Sequence, residues 1–335
     1  MRKGIYKTTL IAALLSLFCT DSRAASSRGY PQTAISNGAI TAIVGIETGQ
    51  DENYYRGQRF DYSGVIYSLK YKGHEFFGEW WGKHFDPKFH HNICGPVDDF
   101  LPIGYDDANV GGEFAKIGVG ILRRNSDKPY YFANSFEIVD GGARVCAAGK
   151  NWIEYTHTLK SGIISYKYTK RIELVPDAPV MKISYKLTNT GKTRISTEQY
   201  CHNFFMIDGA KAGRDIALKL PLKPVGGENW KDVTRTATRV DTDNVLRFTD
   251  AISEPHHVVY ANYDGDPSAD KNRFELSNLK TGATVKISGS RPMTRWTFFA
   301  WETTYCPEPF IKIDAAPGDT FEWQNTYEFG CRCAK

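Results

Sequence analysis

The sequence predicts an all-β protein, a large antiparallel β-sandwich, and three observations carry that expectation. Apolar and polar residues alternate with a period of two in Ile163-Ile164-Ser165-Tyr166-Lys167-Tyr168, Val180-Met181-Lys182-Ile183-Ser184-Tyr185-Lys186-Leu187 and Ala283-Thr284-Val285-Lys286-Ile287-Ser288. That period belongs to strands with one buried and one wet face. Gly, Asn and Asp punctuate the runs, as in Thr188-Asn189-Thr190-Gly191. Stripes at helical spacing are scarce, whereas 19 Tyr, 19 Phe and 7 Trp favour pleated sheets and supply flat apolar faces for ring stacking.

The chain begins with a different pattern. Arg2, Lys3 and Lys7 precede an apolar run from Leu10 to Phe18, and Ser22-Arg23-Ala24 follows as a small-x-small site. This is the three-part signature of a secretory signal over residues 1–24, with a single β-sandwich domain over 25–335. The apolar run is shorter than the roughly 20 residues a membrane span needs. Cys19 offers a lipidation alternative that Phe18 disfavours, so the expected location is exported, periplasmic or secreted. A net charge of +4 without a basic run gives no footprint for nucleic acid. Nothing in the sequence sets an oligomeric state.

Export permits disulfides. Cys94, Cys146, Cys201, Cys306, Cys331 and Cys333 remain after signal removal, and no pair has zinc-finger spacing. No Rossmann or P-loop fingerprint is present, and neither a metal nor an organic cofactor is expected.

Two stretches break the strand rhythm. Residues 78–112 are rich in Gly, Pro, His and Asp and include Trp80-Trp81 and His90-His91, as a functional loop region would. Residues 209–227 read as an excursion between strands. Asp98-Asp99 and Asp106-Asp107 read as ordinary surface acids in preference to calcium ligands.

Two segments carry candidate chemistry. In Tyr200-Cys201-His202-Asn203-Phe204 an extended chain puts Tyr200, His202 and Phe204 on one face, a His between two aromatic rings. In Tyr305-Cys306-Pro307-Glu308-Pro309-Phe310 the prolines are expected to pull Glu308 out of regular ladder pairing and hold its carboxylate beside aromatic rings. Burial there would raise its pKa and suit it to proton transfer. Taken singly, each fits a structural role as well: a satisfied, half-buried His and an exposed loop Glu.

Together these segments resemble the galactose-mutarotase superfamily of aldose 1-epimerases. That family places a His in an Asn-His-x-Tyr-Phe-Asn-Leu-like segment after a strand ending in Thr-Asn. Here Leu187-Thr188-Asn189 precedes Cys201-His202-Asn203-Phe204-Phe205-Met206. The family's Glu lies near the C-terminus in a Cys-x-Glu-Pro-like segment, followed by a Pro-Gly-acid turn and a last aromatic strand. Here those are Cys306-Pro307-Glu308-Pro309, Pro317-Gly318-Asp319 and Trp323 to Phe329. The resemblance implies a galactose-mutarotase-like sandwich with Glu308 as base and His202 as acid, on opposite sides of a sugar-sized gap, opening and reclosing an aldose ring without a cofactor.

The first half departs from the family. Its His-Gly-Gly segment corresponds to Val110-Gly111-Gly112-Glu113, so His90 or His91 would have to replace the missing His in gripping the sugar, with Glu113 nearby. The block Tyr54 to Gly64 concentrates Arg59, Asp61 and aromatics. Arg59 and Asp61 share a face if that segment is extended, and an Arg fork suits an acidic sugar such as a uronate; an internal Arg–Asp pair on a solvated edge suits it equally. The substrate-binding candidates are therefore Arg59, Asp61, His91, Glu113 and Tyr200. A carbohydrate lyase or hydrolase on the same fold, or a non-catalytic carbohydrate-binding protein, remain rival readings. Finally, Cys201 and His202 alternate across a strand, whereas Cys306 and Glu308 share a face, so Cys201 and Cys306 are not expected to be bonded.

Overall fold

The computed structural model describes residues 29–47, 53–81, 85–224, 238–252, 258–261, 263–264, 266 and 268–332. The segment expected as a signal, residues 1–24 with Cys19, as well as Cys333 and residues 225–227 of the second irregular stretch, lie outside the described residues.

Strands dominate, all antiparallel, and the only helical pieces among the described residues are two three-residue 3₁₀ turns, Ile207–Gly209 and Ala269–Lys271. The three sequence runs that alternate become the strands Ser165–Leu174, Val180–Asn189 and Ala283–Gly289. They lie in a ten-stranded sheet that also contains Trp152–Lys160, Arg273–Asn278 and Thr320–Cys331. The stretch after Gly209, expected as an excursion, supplies the strand Ile216–Lys219 to this sheet, between Val245–Phe248 and Arg273–Asn278. Its Ile-Ala-Leu core is too short for periodicity to reveal; cross-strand pairing decides it.

A five-stranded sheet runs in the order Val258–Ala261, Arg295–Trp301, Thr304–Ala315, Ile195–His202, Val97–Phe100. Thr304–Ala315 is a continuous strand through Pro307-Glu308-Pro309, with Thr297 opposite Glu308, so the prolines do not remove Glu308 from the ladder. The reason lies in the direction of the backbone groups. The Pro307 carbonyl accepts from Asn203 Nδ2 at 2.5 Å, while the Phe310 carbonyl accepts from Thr294 N on the other side. Pro307 and Pro309 therefore direct their missing N–H groups toward Ile195–His202, where the backbone ladder has ended at Tyr200 opposite Phe310.

The two sheets face each other across an aromatic core. Tyr185 stacks on Trp323 with centroids 4.8 Å apart, Phe100 meets Tyr168 edge-on, and Tyr327 donates to Asn203 Oδ1 at 2.9 Å. Such ring pairs add about 0.5–1.5 kcal/mol each beyond area burial. The opposite face of the five-stranded sheet carries a second apolar cluster that includes Tyr54, Phe60, Trp80, Phe114, Phe204 and Cys306. No described helix is long and apolar enough to cross a membrane.

Candidate functional site

The strand Val97–Phe100 shows how alternation distributes charge. Asp98 and Asp99 are both buried, at 0% and 3% exposure, and not the surface acids that the sequence suggested; Asp106 and Asp107 are exposed. Asp98 points between the sheets, where Lys170 Nζ lies 2.6 Å away and Tyr185 and Gln199 donate to it. Asp99 points to the other face. There Lys116 Nζ sits 2.6 Å from Oδ1, while Arg59 Nε at 3.1 Å and the Tyr200 hydroxyl at 2.9 Å both reach Oδ2.

Arg59 comes from the segment 53–64, which is irregular and not a strand. Its guanidinium also donates to Tyr200 Oη at 2.7 Å, lies 3.1 Å from His91 Nδ1, and is covered by the Phe132 ring at 4.1 Å. Asp61 does not share its direction. Its carboxylate turns into the inter-sheet layer, accepting from the Tyr168 hydroxyl at 3.2 Å and from Ser63 N at 3.0 Å. The shared-face expectation fails because bends between residues 58 and 64 abolish the period of two.

Tyr200 and His202 lie on the same face as Asp99. The ladder pairs Ile195 with Ala315 and Tyr200 with Phe310; continued two residues, the same register sets His202 opposite Glu308. Side chains opposite each other on adjacent strands are close enough to touch. His202 Nε2 is 3.1 Å from Glu308 Oε1, and both residues are buried, at 2% and 4% exposure. The expected sugar-sized gap between them is therefore closed. The approach is not aligned as a hydrogen bond, and His202 Nδ1 and Glu308 Oε1 have no hydrogen-bond partner among the described residues.

Burial pushes Glu308 up to about 8, Arg59 draws it down, and Asp99 raises it. Burial, with Arg59 and His91 nearby, holds His202 well below the ordinary imidazole value. Burial therefore favours the uncharged form of both groups. The Phe204 ring stacks on His202 at 3.7 Å between centroids, and His91 and Phe299 stack beside it. Phe204 itself has left the strand and adopts φ 42.

His91 thus joins the cluster, from the loop after Trp80, and Trp80 stacks on Phe204 at 4.9 Å. Glu113 does not join. Its carboxylate is exposed, 3.8 Å from Arg123, because Lys116, three residues along the same strand, is the one that faces Asp99. Sequence reasoning missed Asp99 and Lys116, and it put Cys306 on the face of Glu308 without assigning it to the site. Two acids inside the short apolar strand Val97–Phe100 were the available signal for the first.

Cys306 lies on the face of Glu308. One donor atom each from His202, Cys306 and Glu308 falls within 4.8 Å of the other two, the only such set among the described residues. An imidazole, a thiol and a carboxylate form a donor set that suits zinc, and these are the residues that would hold a metal. Cys201 points the other way, to the Tyr327 hydroxyl at 3.4 Å; both thiols are free.

No protein-family model matches the sequence, and no curated protein does. Solved structures do match in fold. A galactose mutarotase-like protein from Lactobacillus casei aligns with a TM-score of 0.54 at 13% identity, over 89% of this chain and 100% of its own. A galactose mutarotase related enzyme from Lactobacillus acidophilus gives 0.52 at 14% identity, over 89% and 97%. An aldose epimerase homologue from C. elegans gives 0.51 at 11% identity, over 90% and 98%. The chain has the galactose-mutarotase-like β-sandwich fold.

Proposed function

We propose that this is an exported carbohydrate-active protein in which His202 and Glu308 act as a general acid–base pair at the anomeric centre of an aldose. The observation that carries the reading is the buried cross-strand contact of these two side chains, 3.1 Å apart, on a fold shared with aldose-epimerase homologues. Export rests on the signal pattern of residues 1–24 and the sugar class on the fold.

The chemistry follows from how the pair holds its proton. In the closed site burial favours the uncharged form of both groups. A sugar entering between them brings hydroxyl groups that solvate the carboxylate, and the proton passes to His202. Glu308 then takes the proton of the anomeric hydroxyl while His202 protonates the ring oxygen. The ring opens, the carbonyl carbon presents its other face, and reclosure with reversed proton transfers gives the other anomer. Tyr200, Arg59 and His91 supply polar contacts, and Trp80 and Phe299 supply apolar faces for the ring. Arg59 and Lys116 share the single carboxylate of Asp99, leaving one excess positive charge, which favours an acidic sugar.

The direct contact and burial of the pair also favour a second reading, a carbohydrate-binding protein without turnover. One experiment separates them. Purified protein is mixed with free aldoses and uronic acids, and anomer exchange is followed by NMR together with saturation transfer to the sugar. The enzyme reading expects exchange faster than in buffer, lowered about 100-fold or more by His202→Ala and by Glu308→Ala. Saturation transfer with exchange at the buffer rate would support the binder. Cleaved product from oligosaccharides would point to a lyase or hydrolase.

A further inference from the structure

The proposed acid–base site leaves unused a second reactive constellation, assembled from three distant parts of the chain. The tight turn at Lys72-Gly73, both at positive φ, folds the short strand His74–Glu75 back on Ile66–Tyr71. There His74 meets Asp208, in the 3₁₀ turn Ile207–Gly209, and Cys331, the last residue of the strand Thr320–Cys331. His74 Nδ1 is 2.9 Å from Asp208 Oδ2, and His74 Nε2 is 3.1 Å from Cys331 Sγ.

The carboxylate is itself fixed. Asp208 Oδ1 accepts from Glu75 N at 3.0 Å, and Asp208 adopts φ 57, a conformation uncommon for a residue with a side chain. One carboxylate therefore holds both the ring and the backbone that carries it. With Nδ1–H donated to Asp208, Nε2 presents its lone pair to the thiol. A nucleophile in reach of a base, which a third group orients, is the arrangement that activates a thiol. Access differs from that of the buried thiols. Cys94, Cys201 and Cys306 are buried, whereas Cys331 is half-buried and the side chains of His74 and Asp208 are each 17% exposed.

We propose that Cys331, with His74 as its base and Asp208 as a positioning residue, is a site of thiol–disulfide exchange with small-molecule disulfides. The Cys331 thiol gives its proton to His74 Nε2, and the thiolate attacks one sulfur of the disulfide. A new S–S bond forms at Cys331 as the original one breaks, and the departing thiolate takes the proton from His74. The small disulfide is reduced to a thiol and Cys331 is oxidised to a mixed disulfide. Asp208 stabilises the imidazolium during the exchange.

The test treats the full chain with 4,4′-dithiodipyridine and follows thiopyridone release, with tryptic peptide mapping to locate the adduct. Cleavage after Arg332 separates Cys331 from Cys333. Cys331 is expected to react at least about tenfold faster than Cys146, the other half-buried free thiol among the described residues. His74→Ala should slow it about tenfold or more, with free imidazole restoring part of the rate, which a merely structural role for His74 would not allow. Asp208→Asn keeps an acceptor for Glu75 N and should also slow the reaction. Far-UV circular dichroism identifies any variant that fails to fold, and His74→Gln then replaces His74→Ala. Equal rates at Cys331 and Cys146, or a Cys331 rate unchanged in folded His74 and Asp208 variants, would overturn the proposal.

Discussion

Asp98 and Asp99 are consecutive residues whose carboxylates lie on opposite faces of one sheet, each paired at 2.6 Å with a different buried lysine. Asp98 with Lys170 ties the two sheets together. Asp99 with Lys116 and Arg59 fixes the polar wall beside His202. The first pair belongs to stability and the second to the site.

Removing one partner of a buried pair leaves the other charge uncompensated, which costs about 3–5 kcal/mol. Asp98→Asn and Lys170→Met should each destabilise on that scale in urea unfolding. The double variant should cost less than the two singles added together, because neither charge is then stranded. Strict additivity would mean that the 2.6 Å contact carries no coupling.

Glu308 sets a pH dependence whose sign is fixed by its shift. Its carboxyl titrates near 8 in the folded protein against an ordinary 4.5, so between those values the folded state binds the extra proton. Stability contributed by the protonated form is present below 4.5 and is lost as the pH rises toward 8. Glu308→Gln keeps the shape without the titration. Chemical denaturation should find the variant as stable as the wild type near the low end of that window and more stable near its high end. Parallel curves across the window would contradict the assignment.

Gly118 adopts φ 79, and a Cβ there would meet the Asp61 side chain at 2.6 Å. Gly118→Ala should therefore cost about 2 kcal/mol or more, backbone strain plus displacement of Asp61 from Tyr168. Gly38 has φ 93 with open space around it. Gly38→Ala should cost only the backbone part, about 1 kcal/mol. Equal losses in thermal unfolding would show that Asp61 yields freely.

Intact-mass measurement on exported protein should give a chain beginning near Ala25, the residue after Ser22-Arg23-Ala24. A chain that retains Met1 and stays in the cytoplasm would remove the export reading.

What the sequence determined by itself is the set of local faces. The period of two marks Val180–Asn189 and Ala283–Gly289 as strands and puts Tyr200 and His202 on one side with Cys201 on the other. It also gives the order of the His and Glu segments and the turns between them, because these depend on neighbours a few residues apart. Only the tertiary structure decided which faces meet. The register between Ile195–His202 and Thr304–Ala315 puts His202 against Glu308 with no gap, although no local pattern links strands so far apart. The same closure buries Asp98 and Asp99, sends Asp61 away from Arg59, leaves Glu113 at the surface and brings His74, Asp208 and Cys331 together. Charge is where local reading failed most, for a physical reason. A carboxylate is costly to bury alone and tolerable beside a cation, and the cation comes from elsewhere in the chain.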